Sequence, residues 1–584
     1  MRFLALLACF ILIATGGALS LLLGPVPYEK LRSLEHLLYL EDTFAHLPLA
    51  LTPARYAGLR GLLFGSLGAG LLGATGLLRQ PASRAELRGL QREIGRAWAG
   101  IKQTIRQLSR VEKAIAFGLL SLILVVRASL LLGYGFRYDE LLSYQFFVRE
   151  GAVVISSFYP LPNNHIFFNL CCAMGRPVLG QHPLLLMRIP SFLAAALGTG
   201  LSYALLTRLT NFRLATLVTG LFNLTPAALY YAASGRGYYL QLVLIQLGFF
   251  AVVGLGARPN YRRLCWLVLV VSSILGLYTI PTYVYPLASL LLGAALVLGT
   301  RQERRTVLWA ELLMALLLIG MGTALLYAPV GAVSGWSRLL ANSYVVPVAW
   351  AAFRASALAN IYEKTQELFG LVRPALLLGA ALVALVPVAQ WRARLTPTER
   401  SLLWVTWALL VVPVLIIVAQ RTYPPTRVVV YLAYFGFLLA ALTAWVVARQ
   451  WHRPFLSKQL QLAMVAATVL CAGALRFSSV LARIRSSQHE ETQLIQAWRW
   501  LQTRQPHRVL LSSYELFFYH YAVQDHQAVV LAARPAPGQR YDYLVLPPAQ
   551  QSAPNWTGPL SYRVVFRNDL VSIFALSPRS ADPR

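Results

Sequence analysis

The chain has 584 residues, of which 57% are hydrophobic and only 13% charged, with a net charge of +30. That charged fraction is about half of what a soluble domain carries, which excludes an ordinary soluble enzyme. The Lys and Arg excess is split into short clusters between apolar runs, the positive-inside pattern of membrane proteins, so nucleic acid is excluded as a partner.

In chain order, residues 3–23 are apolar behind Arg2 and predict a first membrane helix or a signal segment, with Ala18 and Ser20 leaving cleavage open. The loop 24–56 carries Glu29, Glu35, Glu41 and Asp42 against three basic residues, and 57–78 is a second span, closing an N-terminal two-helix hairpin over 1–78. Residues 79–113 hold nine Lys/Arg against three Glu, which assigns them to the cytoplasmic side. Within them Leu87, Leu90, Ile94, Trp98, Ile101, Ile105 and Leu108 recur in steps of three and four. This is an amphipathic helix suited to anionic headgroups or to a coiled-coil partner.

The span 114–133 then emerges on the far side. Further spans are predicted at 190–207, 214–232, 239–257, 264–280, 282–300, 306–327, 373–390, 402–420, 427–448 and 460–477, giving about 13 helices, a membrane core over 114–477 and an external C-terminus. The arginines at 208, 213, 258, 262, 263, 301, 304, 305, 392, 394, 400, 449 and 453 all fall on the cytoplasmic side of this scheme. Residues 165–179 are apolar but interrupted by Arg176 and Pro177, and read as an interfacial helix. The tail 478–584 is polar, with a helix at 490–503 and β-rich runs at 508–512, 528–533, 541–546 and 562–574, the pattern of a small extracytoplasmic α/β domain. Asn555-Trp-Thr fits a glycosylation acceptor. The five cysteines form neither a disulfide framework nor a metal-ligand spacing.

Chemistry gathers on the outer face. Asp139 and Glu140 follow the span 114–133 directly and are flanked by Phe136, Arg137, Tyr138, Tyr144 and Arg149. On the same face lie Tyr159-Pro-Leu-Pro-Asn-Asn164-His165, Ser234-Gly-Arg236-Gly-Tyr238 and Arg421-Thr-Tyr-Pro-Pro-Thr-Arg427, with Tyr431 beyond. Arg236 opposes the positive-inside bias and so predicts an anionic partner. Arg127 lies inside an apolar span, where an arginine faces a cavity or a partner or else snorkels outward. One carboxylate base with several fixed cations suits sugar transfer from a lipid phosphate. The leaving phosphate needs positive charge rather than a general acid, and the incoming hydroxyl needs one base. A glycosidase would need two separated carboxylates.

These motifs resemble the GT-C superfamily of polytopic glycosyltransferases, in particular the protein mannosyltransferase and lipid A aminoarabinose transferase branch. The resemblance rests on Tyr138-Asp139-Glu140, Pro162-Asn-Asn-His165, Arg188-Ile-Pro-Ser191, Leu224-Thr-Pro226, Ser234-Gly-Arg-Gly-Tyr-Tyr239 and Pro425-Thr-Arg427…Tyr431, and spans roughly 114–480. It implies an inverting glycosyltransferase, hexosyl or pentosyl, acting on a polyprenyl-phosphate sugar at the extracytoplasmic face of a bacterial inner membrane. The resemblance implies Asp139 as base and Arg236 and Tyr238 as donor-binding residues; from their placement Glu140 is added as catalytic, and Arg127, Arg137, Tyr138, Asn164, His165, Arg427 and Tyr431 as substrate-binding. Two departures stand out: Ser234-Gly235 replaces an acid before the arginine, and Thr279-Ile-Pro-Thr282 stands where a histidine is common. No cofactor or tightly held metal is expected. The acceptor, whether glycan, lipid or protein, is left open. A lipid-linked saccharide flippase predicts inverted repeats and broken polar helices. A non-catalytic lipid-binding scaffold would keep the fold and tolerate loss of Asp139.

Overall fold

A computed structural model describes residues 1–34, 49–300, 305–340, 346–369, 386, 395–450, 457–533, 539–548 and 562–576. The predicted span 373–390 and the Asn555 acceptor lie outside the described residues, Val386 excepted, as do Glu35, Glu41 and Asp42. Among the described residues, ten helices are long and apolar enough to cross a membrane, from Arg2–Leu23 to Gln459–Gln502, and Tyr431–Val447 is a shorter apolar helix. The chain is a polytopic α-helical membrane protein with a small C-terminal sheet.

Local signals place the helix ends. Ser109 and Glu112 form a reciprocal cap at the start of Arg110–Gly133, and Thr396 and Glu399 do the same for Pro397–Gln420. The expected span 214–232 is two helices, Phe212–Asn223 and Pro226–Ala233, bent by 71°. Pro226 has no N–H to continue the ladder, and the Thr225 hydroxyl caps the second piece. The interfacial segment is two short helices, Ile166–Met174 and Arg176–Leu179.

The tail departs further from expectation. A division at 478 falls inside one unbroken 45-residue helix, Lys458–Gln502, so the last membrane helix and the first helix of the tail are the same element. The run 562–574 is a hairpin, β4 (Tyr562–Arg567) and β5 (Ser572–Leu576), and an unforeseen helix, Glu515–Gln524, follows β1. With β1 (Arg508–Leu511), β2 (Val530–Ala532) and β3 (Tyr543–Leu546) the sheet has order β2-β1-β3-β5-β4. It is parallel on the β1 side and antiparallel on the β5 side. Its core joins Trp498 and Leu501 of the long helix to Val509, Phe518, Val545 and Ile573.

The predicted basic helix is observed as Pro81–Gln107, held between the membrane helices Pro53–Arg79 and Arg110–Gly133. It meets Arg208 and Arg263 at the end of the bundle opposite Asp139.

Candidate active site

The acidic pair sits on a short helix, Tyr138–Ser143, just beyond Arg110–Gly133. Adjacent helical residues point about 100° apart, and here the two carboxylates part company. Glu140 turns inward and is fully buried. Its Oε1 accepts from Arg188 Nε at 3.1 Å and from the Gly235 N–H, and its Oε2 accepts from Arg188 Nη2 at 2.7 Å and from the Arg137 N–H at 3.0 Å. Burial pushes the carboxyl up. The Arg188 guanidinium and the two backbone N–H groups outweigh it and hold Glu140 below the usual carboxylate range. Arg188 also donates to the carbonyls of Leu131, Tyr134 and Gly135, ending the preceding helix. Glu140 therefore has no free lone pair for an incoming proton, and its place is that of a positioning residue.

Arg236 is buried rather than exposed, and its partners are neutral. Nη1 donates to the carbonyls of Asp139 at 3.2 Å and Asn163 at 3.1 Å and to the Ser143 hydroxyl. Nη2 donates to Asn163 Oδ1 at 2.5 Å and lies 3.0 Å from His165 Nε2. The anionic partner predicted from sequence is not found among the described residues; backbone and amide oxygens take its place. The neighbouring glycines serve close approach: a Cβ on Gly235 would sit 2.7 Å from Met187 Cβ, and one on Gly237 2.8 Å from Thr279 Cγ2. Lysine cannot span these acceptors, because its single ammonium lacks the guanidinium fork. Arg236→Lys is accordingly expected to lose activity nearly as far as Arg236→Ala in a sugar-transfer assay. Activity close to that of the parent in the lysine variant would contradict this role.

Asp139 turns outward. Its side chain is 38% exposed, and its Oδ2 lies 3.5 Å from Nη1 of Arg427, itself 29% exposed. Its own carbonyl is held by Arg236 and, at 3.4 Å, by Asn163 Nδ2. The surroundings come from the tail. Arg137 pairs with Glu490 at 3.1 Å, the Tyr138 hydroxyl donates to Glu515 at 3.1 Å, and Ser487 Oγ accepts from the Gly135 N–H at 3.0 Å. His520 bonds Gln145 at 2.7 Å and meets Phe136 edge-on at 5.5 Å. Burial and the nearby Arg149 lower the His520 imidazole to about 4. The Tyr138 and Arg137 contacts are solvent-washed, so Tyr138→Phe should shift the unfolding temperature by no more than about 0.5 kcal/mol of stability would.

The remaining predicted residues divide. His165 joins the loop: Nδ1 accepts from the Gly237 N–H at 3.0 Å, and its ring stands edge-on to Tyr238 at 4.8 Å. Asn164 is buried, donating to the carbonyls of Ile155 and Phe158. Tyr431 is buried at the start of Tyr431–Gln450. Arg127 lies away from the loop, in a buried network with Ala195, Thr199, Asn223 and Tyr239. Burial, then the charges of Arg236 and Arg427, hold His165 well below its ordinary 6.5. The unfolded chain protonates below about 6.5 where the folded one does not, so stability falls as pH drops through that value. The stability advantage of the parent over His165→Asn should shrink between pH 7.5 and pH 5 in thermal unfolding.

Sequence reasoning quoted Arg188 without giving it a role and left out Glu515 and His520. An arginine at the head of an apolar run needs buried acceptors, but nothing in the sequence says that Glu140 supplies them. Nothing in the tail's sequence announces its docking. A small crevice of about 10 Å³ beside the Glu140–Arg188 pair is lined by Leu130, Tyr134, Arg137, Glu140, Arg188, Tyr230, Ala233 and Ser234; Asp139 does not line it. Among the described residues no group of three His, Cys, Asp or Glu side chains could hold a metal.

Fold and loop together define a polytopic membrane protein with a carboxylate–arginine site at one face, roofed by its own C-terminal domain. No protein-family model and no curated protein matches the chain. It is similar to two crystal structures of ArnT from Cupriavidus metallidurans, one bound to undecaprenyl phosphate and one in the apo state. Each is 13% identical, over 80% of this chain and 99% and 98% of theirs, with TM-scores of 0.46 and 0.45. At that level the likeness bears no weight on function, which rests on the chemistry of the loop.

Proposed function

We propose that the protein is an inverting glycosyltransferase that moves a sugar from a polyprenyl-phosphate donor to an acceptor hydroxyl at the extracytoplasmic membrane face. The observation that carries this reading is the split of the acidic pair: Glu140 saturated by four donors, Asp139 open beside Arg427. Asp139 takes the acceptor proton as the hydroxyl oxygen attacks C1 of the sugar. The C1–O bond to phosphate breaks on the opposite face, and the phosphate keeps the electron pair near Arg427. One base and one cation complete the step, with inversion at C1. The motif order read from the sequence supports the same class.

The test is incubation of purified protein with an envelope extract that supplies both polyprenyl-phosphate sugars and acceptors, followed by mass spectrometry of the lipid and NMR of the glycosylated product. Release of free polyprenyl phosphate, with a product of inverted anomeric configuration, is expected. If lipid-linked sugars cross a vesicle bilayer with the protein but stay intact, the reading fails in favour of a carrier. A retained configuration would remove the single-step mechanism.

A further inference from the structure

Arg127 is costly where it stands. It is 1% exposed, inside the membrane helix Arg110–Gly133, and its four acceptors are all neutral. Nη1 donates to the Ala195 carbonyl and to the Thr199 hydroxyl, each at 3.1 Å. Nη2 donates to Asn223 Oδ1 and, at 2.6 Å, to the Tyr239 hydroxyl. Nε donates to none of the described residues. Asn223 ends the helix Phe212–Asn223, and the negative end of that helix dipole offsets only part of the cost of a guanidinium in hydrocarbon without a carboxylate.

The acceptors come from three helices that all lead to the site. Ala195 and Thr199 belong to Pro183–Leu209, where Ser191, one turn nearer the loop, donates from Oγ to the Arg236 carbonyl at 3.0 Å. Asn223 precedes the 71° bend, beyond which Pro226–Ala233 runs into Ser234-Gly235-Arg236. Tyr239 lies in the first turn of the helix that follows, Tyr238–Ala257. Its hydroxyl donates to Asn223 Oδ1 at 2.7 Å, and the Arg127 guanidinium lies 4.9 Å from its ring. Arg127 therefore ties down the chain both before and after the turn that carries Arg236. Next to Tyr239, the Tyr238 ring stands 5.2 Å from Tyr231 and 5.8 Å from the Arg236 guanidinium, which in turn holds the Asp139 carbonyl at 3.2 Å.

We propose that Arg127 is a positioning residue for sugar transfer. Through Tyr239 it fixes the turn that carries Arg236, and through Arg236 it fixes the Asp139 carboxylate relative to the acceptor hydroxyl. The proposal rests on the reading of Asp139 as the base.

The experiment uses the full-length protein in detergent, with the same envelope extract as substrate, and a second readout independent of turnover. That readout is the nitrogen NMR signal of the His165 ring, assigned with His165→Asn. His165 reports the turn directly, because its Nδ1 accepts from the Gly237 N–H at 3.0 Å. Arg127→Met keeps a long side chain without the fork. Its kcat should fall about 100-fold with KM for the lipid-linked sugar within about twofold, since a misplacement of about 1 Å at the reacting groups suffices. Tyr239→Phe keeps the ring and should lose about tenfold in kcat. The double variant should be no worse than Arg127→Met, because both residues act along one path. The His165 signal should move in both single variants. A merely structural Arg127 would lower the unfolding temperature and leave kcat per folded molecule at the parent value; that result overturns the proposal, as does an unmoved His165 signal. If Arg127→Met does not fold, Tyr239→Phe decides by the same two readouts. A parent protein that releases no polyprenyl phosphate defeats the glycosyltransferase reading instead, and the His165 signal still decides whether Arg127 fixes the turn.

Discussion

Asp139→Asn should reduce sugar transfer by about 10²–10⁴-fold while leaving the protein folded. The amide keeps the size and most of the polarity of the carboxylate but cannot accept a proton from the acceptor hydroxyl. Its effect on folding should be slight, because the side chain is 38% exposed and its ion pair with Arg427 is a loose 3.5 Å. Donor binding should change little, so the loss falls on kcat rather than KM. Arg427→Ala should lower kcat as well, through the departing phosphate, and Arg427→Lys should recover part of it. Cells relying on the Asp139→Asn variant for their glycoconjugates would make them normally only if another residue is the base, and that result would end the present assignment.

The second large effect is on stability. Glu140→Ala leaves Arg188 buried and charged without its acid, and should cost about 3–5 kcal/mol, read as an earlier unfolding transition in detergent. Arg188→Ala exposes the converse fault, a buried carboxylate with only backbone donors. The double variant Glu140→Gln with Arg188→Met should be more stable than either alanine variant, because no uncompensated charge remains. Acid should act in the same direction. The folded carboxyl is held below its unfolded value, so the stabilisation is complete above the ordinary carboxylate range and is lost as pH falls through the lowered value. If Glu140→Gln unfolds like the parent protein yet transfers no sugar, Glu140 is catalytic after all.

Much of the membrane architecture was legible because apolar length is a local property. The helices at Arg110–Gly133 and Pro397–Gln420 follow from composition and caps alone. The bend at Leu224 was also written locally, in Thr225-Pro226, but apolar length hides a break of two residues. The site was legible only as a neighbourhood. Asp139, His165, Arg236 and Arg427 do come together, yet the division of labour between Asp139 and Glu140 depends on Arg188, 48 residues on, and on the Gly235 N–H. No periodicity encodes such long-range pairings. The same holds for the tail, whose Glu490, Glu515 and His520 meet the loop across separations of 353, 377 and 375 residues.

The helix Lys458–Gln502 carries a mechanical consequence. At about 1.5 Å and 100° per residue it works as a rigid axle some 68 Å long, so the azimuth of the sheet is phased to the bundle. Inserting a single alanine midway would swing Glu490 and Ser487 about a quarter turn from Arg137 and Gly135, whereas adding seven residues would restore the angle to within about 20° but lift the sheet by about 10 Å. Turning the sheet about this helix therefore means breaking both contacts to the loop.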